Sequence, residues 1–305
     1  MSLATTIERV LITGGTGLLG KALLETAPNG WEVFATSHRN SPPEIWKDRF
    51  SSLDVLDETA VERLGRELRP QLVIHTASIG SVDEAEREPE RVAEVNVGGT
   101  QAVGRMCAHV GALLVFVSSN AVFDGSQPPY PEEAPVRSVN RYGAIKIAAE
   151  AWVRASGLAH VIIRPILMYG WPCPGGRGNV VTRWLDRLER GHPVEVDEEI
   201  VAQPLLAANC AQGIWSAVAG PRSGTFHLAG ADRLSLVEFA RETARVFGCD
   251  ERLVTPASCD RLARFAPRPR DTSFVTTRME HELGVRPLGV QEGLTLMQQA
   301  RACVG

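Results

Sequence analysis

Tyr142 and Lys146 stand four residues apart, and two serines, Ser118 and Ser119, close the apolar run before them. In a helix that spacing puts both side chains on one face. A free tyrosine ionises near pH ~10, too high for its ionised form to serve acid–base chemistry at neutral pH. A neighbouring ammonium stabilises the phenolate and lowers that value. A shift of ~2–3 units takes ~3–4 kcal/mol, within reach of a lysine in a partly desolvated cleft. Such a pair suits protonation of a carbonyl oxygen as hydride arrives on its carbon. Ser118-Ser119 ends a strand-like run, and ligands of an open α/β sheet bind at the carboxyl ends of strands. A hydroxyl there is placed to hold the same oxygen.

A second constellation lies near the start of the chain. The β-branched run Val10–Ile12 leads into Thr13-Gly14-Gly15-Thr16-Gly17-Leu18-Leu19-Gly20. The glycines fit two templates, GxGxxG through Gly15, Gly17 and Gly20, and GxxGxxG through Gly14, Gly17 and Gly20. Glycine serves where a turn needs positive φ and where backbone must approach a pyrophosphate closely. The N–H groups at the start of the following helix then receive the phosphate charge. The end of the second strand decides between NAD and NADP, because an acidic residue there holds the ribose 2′-OH. This chain reads Ala35-Thr36-Ser37-His38-Arg39-Asn40, with no carboxylate. Arg39, with Ser37 and His38, suits a 2′-phosphate, since a guanidinium matches phosphate geometry. The expected cofactor is NADP(H).

These residues need elements to position them. Helical segments are expected over 17–26, 59–68, 90–109 and 140–155, alternating with strands over 10–12, 31–36, 72–75, 113–118 and 160–164. Alternation at this pitch implies βαβ units and a parallel sheet covered on both faces. The continuous apolar run Leu113-Leu114-Val115-Phe116-Val117 fits a doubly buried strand. The expected fold is therefore α/β, a Rossmann-type doubly wound parallel sheet. After Pro165 the rhythm changes. Residues 170–178 read as a loop rich in Gly and Pro, 180–190 and 236–247 as helices, 205–218 as a strand or turn leading into a helix, and 225–229 as a strand. The stretch 261–272 carries two prolines among four arginines. Residues 1–165, with returning segments near 200–230, are assigned to the cofactor domain. Residues 166–198 and 231–305 are assigned to a smaller substrate-binding lobe.

Composition narrows the class further. The chain has 305 residues, 44% of them hydrophobic and 22% charged, which excludes a collagen-like or disordered chain. Lys and Arg total 32 against 36 Asp and Glu, so no electrostatic feature argues for nucleic acid or an anionic membrane. No apolar stretch approaches the ~20 residues of a spanning helix, and the polar start of the chain lacks the apolar region of a signal peptide. The cysteines at 107, 173, 210, 249, 259 and 303 show no CxxC spacing. No metal site or disulfide framework is expected, and a reducing cytoplasm is the expected compartment. His75, His192 and His227 form no constellation, and the tryptophans read as core and lobe-interface anchors.

Together, the glycine turn, Ser118-Ser119 and Tyr142-Gly143-Ala144-Ile145-Lys146 resemble the extended short-chain dehydrogenase/reductase superfamily. Val82-Asp83-Glu84-Ala85-Glu86 running on to Asn96, Ser118 through Gly125, and Asn140-Arg141-Tyr142-Gly143 resemble the dTDP-4-dehydrorhamnose reductase group. That group includes the related regulatory β subunit of methionine adenosyltransferase. The resemblance is dense from Val10 to Gly170 and looser beyond. It implies that Gly14, Gly15, Thr16, Gly17, Leu18, Leu19 and Gly20 line the pyrophosphate and that Asp54 and Val55 meet the adenine. It implies that Ala77, Ser78 and Ser118 border the cofactor, that Asn96 shapes the site from its helix, and that Pro165 and Ile166 pack near the nicotinamide. Ser119 matches the catalytic Ser/Thr, Tyr142 the general acid, and Lys146 the residue that binds the nicotinamide ribose and tunes the tyrosine. Substrate contacts are expected from Val82, Ser119, Asn120, Ala121 and Leu167. Arg268 and Arg270 are expected to meet the diphosphate of a nucleotide sugar.

The chain also departs from that group. Asn120 and Ala121 replace the usual Asp and Tyr after the catalytic hydroxyl, and Leu167 replaces a usual tryptophan. Superfamily dehydratases carry Asp-Glu after the Thr, so Asn120-Ala121 argues against dehydration. The expected function is NADP-dependent reduction of a keto group, the 4-keto group of a nucleotide-linked deoxysugar being the leading substrate. The alternatives are a non-catalytic NADP-binding regulatory subunit and an NAD-dependent nucleotide-sugar epimerase. Superfamily members often form homodimers, but no interface patch is readable in the sequence.

Overall fold

The computed structural model describes residues 8–220, 223–258 and 266–302. Cys259, Cys303 and part of the 261–272 stretch lie outside the described residues. The centre is a seven-stranded, wholly parallel sheet. Its strands are β1 (Arg9–Thr13), β2 (Glu32–Ser37), β3 (Phe50–Ser52), β4 (Leu72–His75), β5 (Leu113–Val117), β6 (His160–Pro165) and an edge strand, Gly224–Leu228. The spatial order is edge strand–β6–β5–β4–β1–β2–β3. The strand order reverses between β1 and β4, which opens a crevice above their carboxyl ends.

Alternation along each strand fills both faces. Val10, Ile12, Val115 and Ile163 enter one core with Leu23, Ile214 and Trp215. Leu11, Leu114, Phe116 and Ile162 enter the other with Val61, Met106 and Val153. Both faces are thus apolar, as crossover helices on each side require. Capping residues start the helices. Asp57 accepts from the Ala60 N–H at 2.9 Å, and Ser81 from the Glu84 N–H at 3.2 Å. Each satisfies a donor that the helix leaves unpaired.

The single helix expected over 90–109 is broken. Pro89–Ala93 is α-helical, Glu94–Gly98 is π-helical, and Gly99–Val110 resumes the α-helix. Hydrophobic periodicity cannot reveal one widened turn within a continuous helix.

A separate apolar core lies beyond β6. Val181, Trp184 and Leu185 of the helix Val180–Leu188 meet Phe239 and Ala240 of Leu236–Val246, with Leu294 and Met297 of the last helix. A parallel pair, Val194–Asp197 with Val254–Ala257, flanks it. Phe274, Met279 and Leu283 pack instead on the central-sheet core. The segment carrying them therefore belongs by contact to the sheet side. The loop expected over 170–178 is anchored at its start, where the Trp171 indole N–H donates to the Met297 carbonyl at 2.7 Å. Among the described residues, no helix is long and apolar enough to cross a membrane. The described cysteines are free, and no cluster of metal-ligating side chains occurs among the described residues.

Candidate functional site

The glycine turn closes β1 onto the first helix, Leu18–Glu25. The Gly15 N–H donates to the Thr36 carbonyl at 2.8 Å, and the Gly17 N–H to the Gly14 carbonyl at 2.9 Å. Gly14 has φ +75°, and a Cβ there would sit 2.8 Å from the Ala77 backbone. A Cβ on Gly20 would overlap the Gly14 carbonyl oxygen. Both templates read from the sequence therefore describe one turn, in which Gly14, Gly15 and Gly20 each lack room for a side chain.

Above the turn is a cavity of about 600 Å³. Gly14, Thr16 and Gly17 form its floor, and His38, Arg39 and Asn40 border it from the end of β2. Asp54 and Val55 border it from the end of β3, and Ala77 and Ser78 from the end of β4. Ser37 is buried beneath it and does not line it. Asp54 lies 3.6 Å from His38, so a carboxylate does reach this region, from β3 rather than β2. Leu18 and Leu19 lie in the first helical turn, and Leu19 packs inward.

Asn96, 1% exposed, does not face the cavity. From the π-helical turn its side-chain oxygen accepts from the Ile79 N–H at 2.8 Å, and its amide donates to the Ile79 carbonyl at 3.1 Å. It fixes the segment that carries Ala77 and Ser78.

That segment leads into a second cavity of about 470 Å³, bordered by Gly80 and Val82. Ser119, Asn120, Ala121, Tyr142, Ile166, Leu167 and Arg268 line it as well. Asn140 starts the Tyr142 helix, Arg141–Ala155, by accepting from the Gly143 N–H at 2.9 Å. Its amide also donates to the Pro267 carbonyl at 3.0 Å. A Cβ on Gly143 would overlap the Ala121 carbonyl, so this glycine lets the helix start against the turn bearing Ser119.

Tyr142 hydrogen-bonds Ser119. Burial pushes the phenol up to about 12, against opposing pulls from that bond and from Arg177. This corrects the expected lowering by Lys146. The Lys146 ammonium donates instead to the Val117 carbonyl at 3.0 Å and lies 6.0 Å from the Tyr142 ring centre. Burial lowers Lys146 to about 8, and Glu150 opposes that shift. Tyr142 is thus a neutral phenol beside the Ser119 hydroxyl. Ser118 and Pro165 are buried at the ends of β5 and β6.

The two arginines expected at a diphosphate behave differently. Arg268 lines the cavity but is held by Asp83 at 3.0 Å. Arg270 is exposed, pairs with Glu199 at 3.1 Å, and does not line the cavity. Arg183 lines it instead, donates to the Gly178 carbonyl at 3.1 Å, and has its charged form disfavoured by burial and by Arg177. Nothing in the sequence marks Arg183, which sits in an ordinary amphipathic helix. Thr272, which accepts from the Asn120 amide at 2.7 Å, carries no local signal either, because only the fold brings it near.

The parallel sheet with its reversed strand order and the glycine turn at its crevice define an α/β protein of the Rossmann type. Residues 8–302 match the RmlD substrate binding domain family, and the chain belongs to it. It is 31% identical to dTDP-4-dehydrorhamnose reductase of Mycobacterium tuberculosis (strain CDC 1551 / Oshkosh), covering 92% of this chain and 89% of that one. It is 29% identical to methionine adenosyltransferase 2 subunit beta of Xenopus laevis, covering 90% of this chain and 82% of that one. The structure of dTDP-4-dehydrorhamnose reductase from Bacillus anthracis str. Ames in complex with NADP superposes with TM-score 0.85. Identity there is 26%, and 97% of this chain and 100% of that chain are covered.

Proposed function

We propose that this protein reduces a keto group with NADPH, and that its substrate is a nucleotide-linked 4-keto-deoxysugar. The observation that carries this reading is the Ser119–Tyr142 hydroxyl pair in one cavity, with a second cavity above the glycine turn lined by the segment just before it. The turn suits a pyrophosphate, because it offers backbone N–H groups at a helix start with no side chain in the way. Arg39 and His38 are the groups for a 2′-phosphate, and Asp54 and Val55 for the adenine. When bound, NADPH supplies the hydride.

Ser119 holds the carbonyl oxygen by donating to it. Tyr142 gives that oxygen its phenolic proton, and burial keeps the phenol protonated until then. Lys146, which donates to the Val117 carbonyl, is the group that would hold the nicotinamide ribose, and its charge would stabilise the phenolate. Val82, Ala121, Ile166 and Leu167 shape the sugar pocket. Arg183, with Arg177, receives the diphosphate in place of Arg270. Residues of the second core form the substrate lobe, and the central sheet forms the cofactor domain.

The relationship to methionine adenosyltransferase 2 subunit beta supports a second reading, a regulatory subunit that holds NADP without oxidising or reducing anything. The test is a screen of keto-sugar nucleotides for NADPH consumption, run beside affinity purification of the tagged protein from its host. Turnover supports the reductase. Co-purification of a synthetase with no turnover supports the subunit.

A further inference from the structure

Beneath the Tyr142 helix the fold buries a charge pair that the proposed reaction does not use. The Glu150 carboxylate accepts from the Arg164 guanidinium at 2.7 and 2.8 Å, and both side chains are 3% exposed. Arg164 continues to the Glu132 carbonyl at 3.2 Å and the His227 Nε2 at 3.2 Å. The His227 ring is fixed by the Tyr130 carbonyl and stacks on Phe274 at 3.9 Å. A buried ion pair is a costly way to hold two elements together, because apolar side chains of similar size stabilise as well or better. The pair also stands in one particular place. Glu150 is four residues from Lys146, so both project from one face of the same helix.

We infer that Glu150 is a positioning residue for the proposed reaction, keeping the buried Lys146 ammonium charged on the helix face it shares with Tyr142, while Arg164 fixes the Glu150 carboxylate. This inference rests on the reductase reading for its catalytic meaning, but not for its test. Several groups face Lys146. Glu150 comes from its own helix and His75 from β4, and Ser118 from β5 lies by Glu150. Tyr142 lies on its own helix, and Arg164 and Arg154 sit behind Glu150. Burial and Lys146 itself hold His75 at about 3, so His75 adds no charge at neutral pH. Glu150 is thus the carboxylate acting on Lys146 among the described residues. Without it, a lysine at 3% exposure would lose its proton near neutral pH.

The experiment follows the Lys146 ammonium by NMR titration of lysine-labelled protein without added cofactor. The variants are Glu150→Gln, the double variant Glu150→Gln/Arg164→Met, and the exposed control Glu133→Gln. The double variant removes both charges, so it remains informative if the single one fails to fold. The expected result is a downward displacement of the Lys146 titration by about one pH unit or more in Glu150→Gln, a smaller one in the same direction in the double variant, which also loses the opposing Arg164 charge, and none in the control. If the protein turns over a keto-sugar nucleotide, the alkaline limb of kcat should move down with it. A folded double variant whose Lys146 titrates as in the parent would overturn the inference. Failure of every substrate would count against the reductase reading alone, since the titration is read without turnover.

Discussion

At the scale of single residues, two chemical groups are legible in the amino-acid sequence because their spacing states their geometry. A four-residue interval on a helix brings Tyr142 and Lys146 to one face, and Asn140 and Gly143 supply the local reasons that the helix starts where it does. What spacing does not state is orientation. The Lys146 ammonium turns to the Val117 carbonyl, so burial rather than charge sets the Tyr142 phenol. The glycine turn has the sharpest steric demand. A methyl on Gly20 meets the Gly14 carbonyl, and relief would displace the turn. Gly20→Ala should therefore cost about 1–3 kcal/mol of stability and weaken NADPH binding at least tenfold. Thermal melts and fluorescence titration read these effects. An unchanged Tm and Kd would mean that the turn tolerates the methyl group.

At the scale of elements, the strands of the sheet are readable because doubly buried strands are continuous apolar runs, as 113–117 is. The π-turn at Glu94–Gly98 is not readable, since its amino acids fit an ordinary helix. Nor is the network joining β6 to the edge strand, where Arg164 and His227 come together from distant parts of the chain. That network has a pH consequence. Burial, followed by Arg164, lowers His227 to about 3, and burial, followed by Lys146, lowers His75 to about 3. Each histidine binds its proton less readily folded than unfolded, where the value is about 6.5. Their contribution to stability is therefore complete above pH ~6.5 and is lost as pH falls toward ~3. The slope approaches ~1.4 kcal/mol per pH unit for each histidine. Chemical denaturation at pH 7, 6 and 5 should show this decline, with a shallower slope in His227→Gln. Stability that rises between pH 7 and 5 would contradict the assignment.

At the scale of the whole molecule, the two halves of the chain differ in how much they disclose. The first cavity is built from local motifs, and nine of the residues expected at a cofactor line it, from the glycine turn and the ends of β2, β3 and β4. The second cavity is lined in part by Val201, Ala202, Arg268 and Thr272, which return from distant parts of the chain, so contact there depends on the finished fold. Arg268 and Arg270 illustrate the limit. Their types suit a diphosphate, but carboxylates hold both. Arg183 faces the cavity instead. Arg183→Ala should raise KM for a nucleotide-linked keto-sugar about tenfold or more while leaving the Kd of NADPH unchanged. Equal KM values would remove Arg183 from the substrate site.

In the proposed reaction the Tyr142 phenol delivers a proton to a substrate carbonyl as NADPH is oxidised. The most direct measurement is NADPH consumption by the parent protein and by Tyr142→Phe with the best keto-sugar nucleotide from the screen. The parent should turn over, the variant should lose ~10²-fold or more, and the Kd for NADPH should be unchanged. Equal turnover by the two proteins would contradict that role of Tyr142.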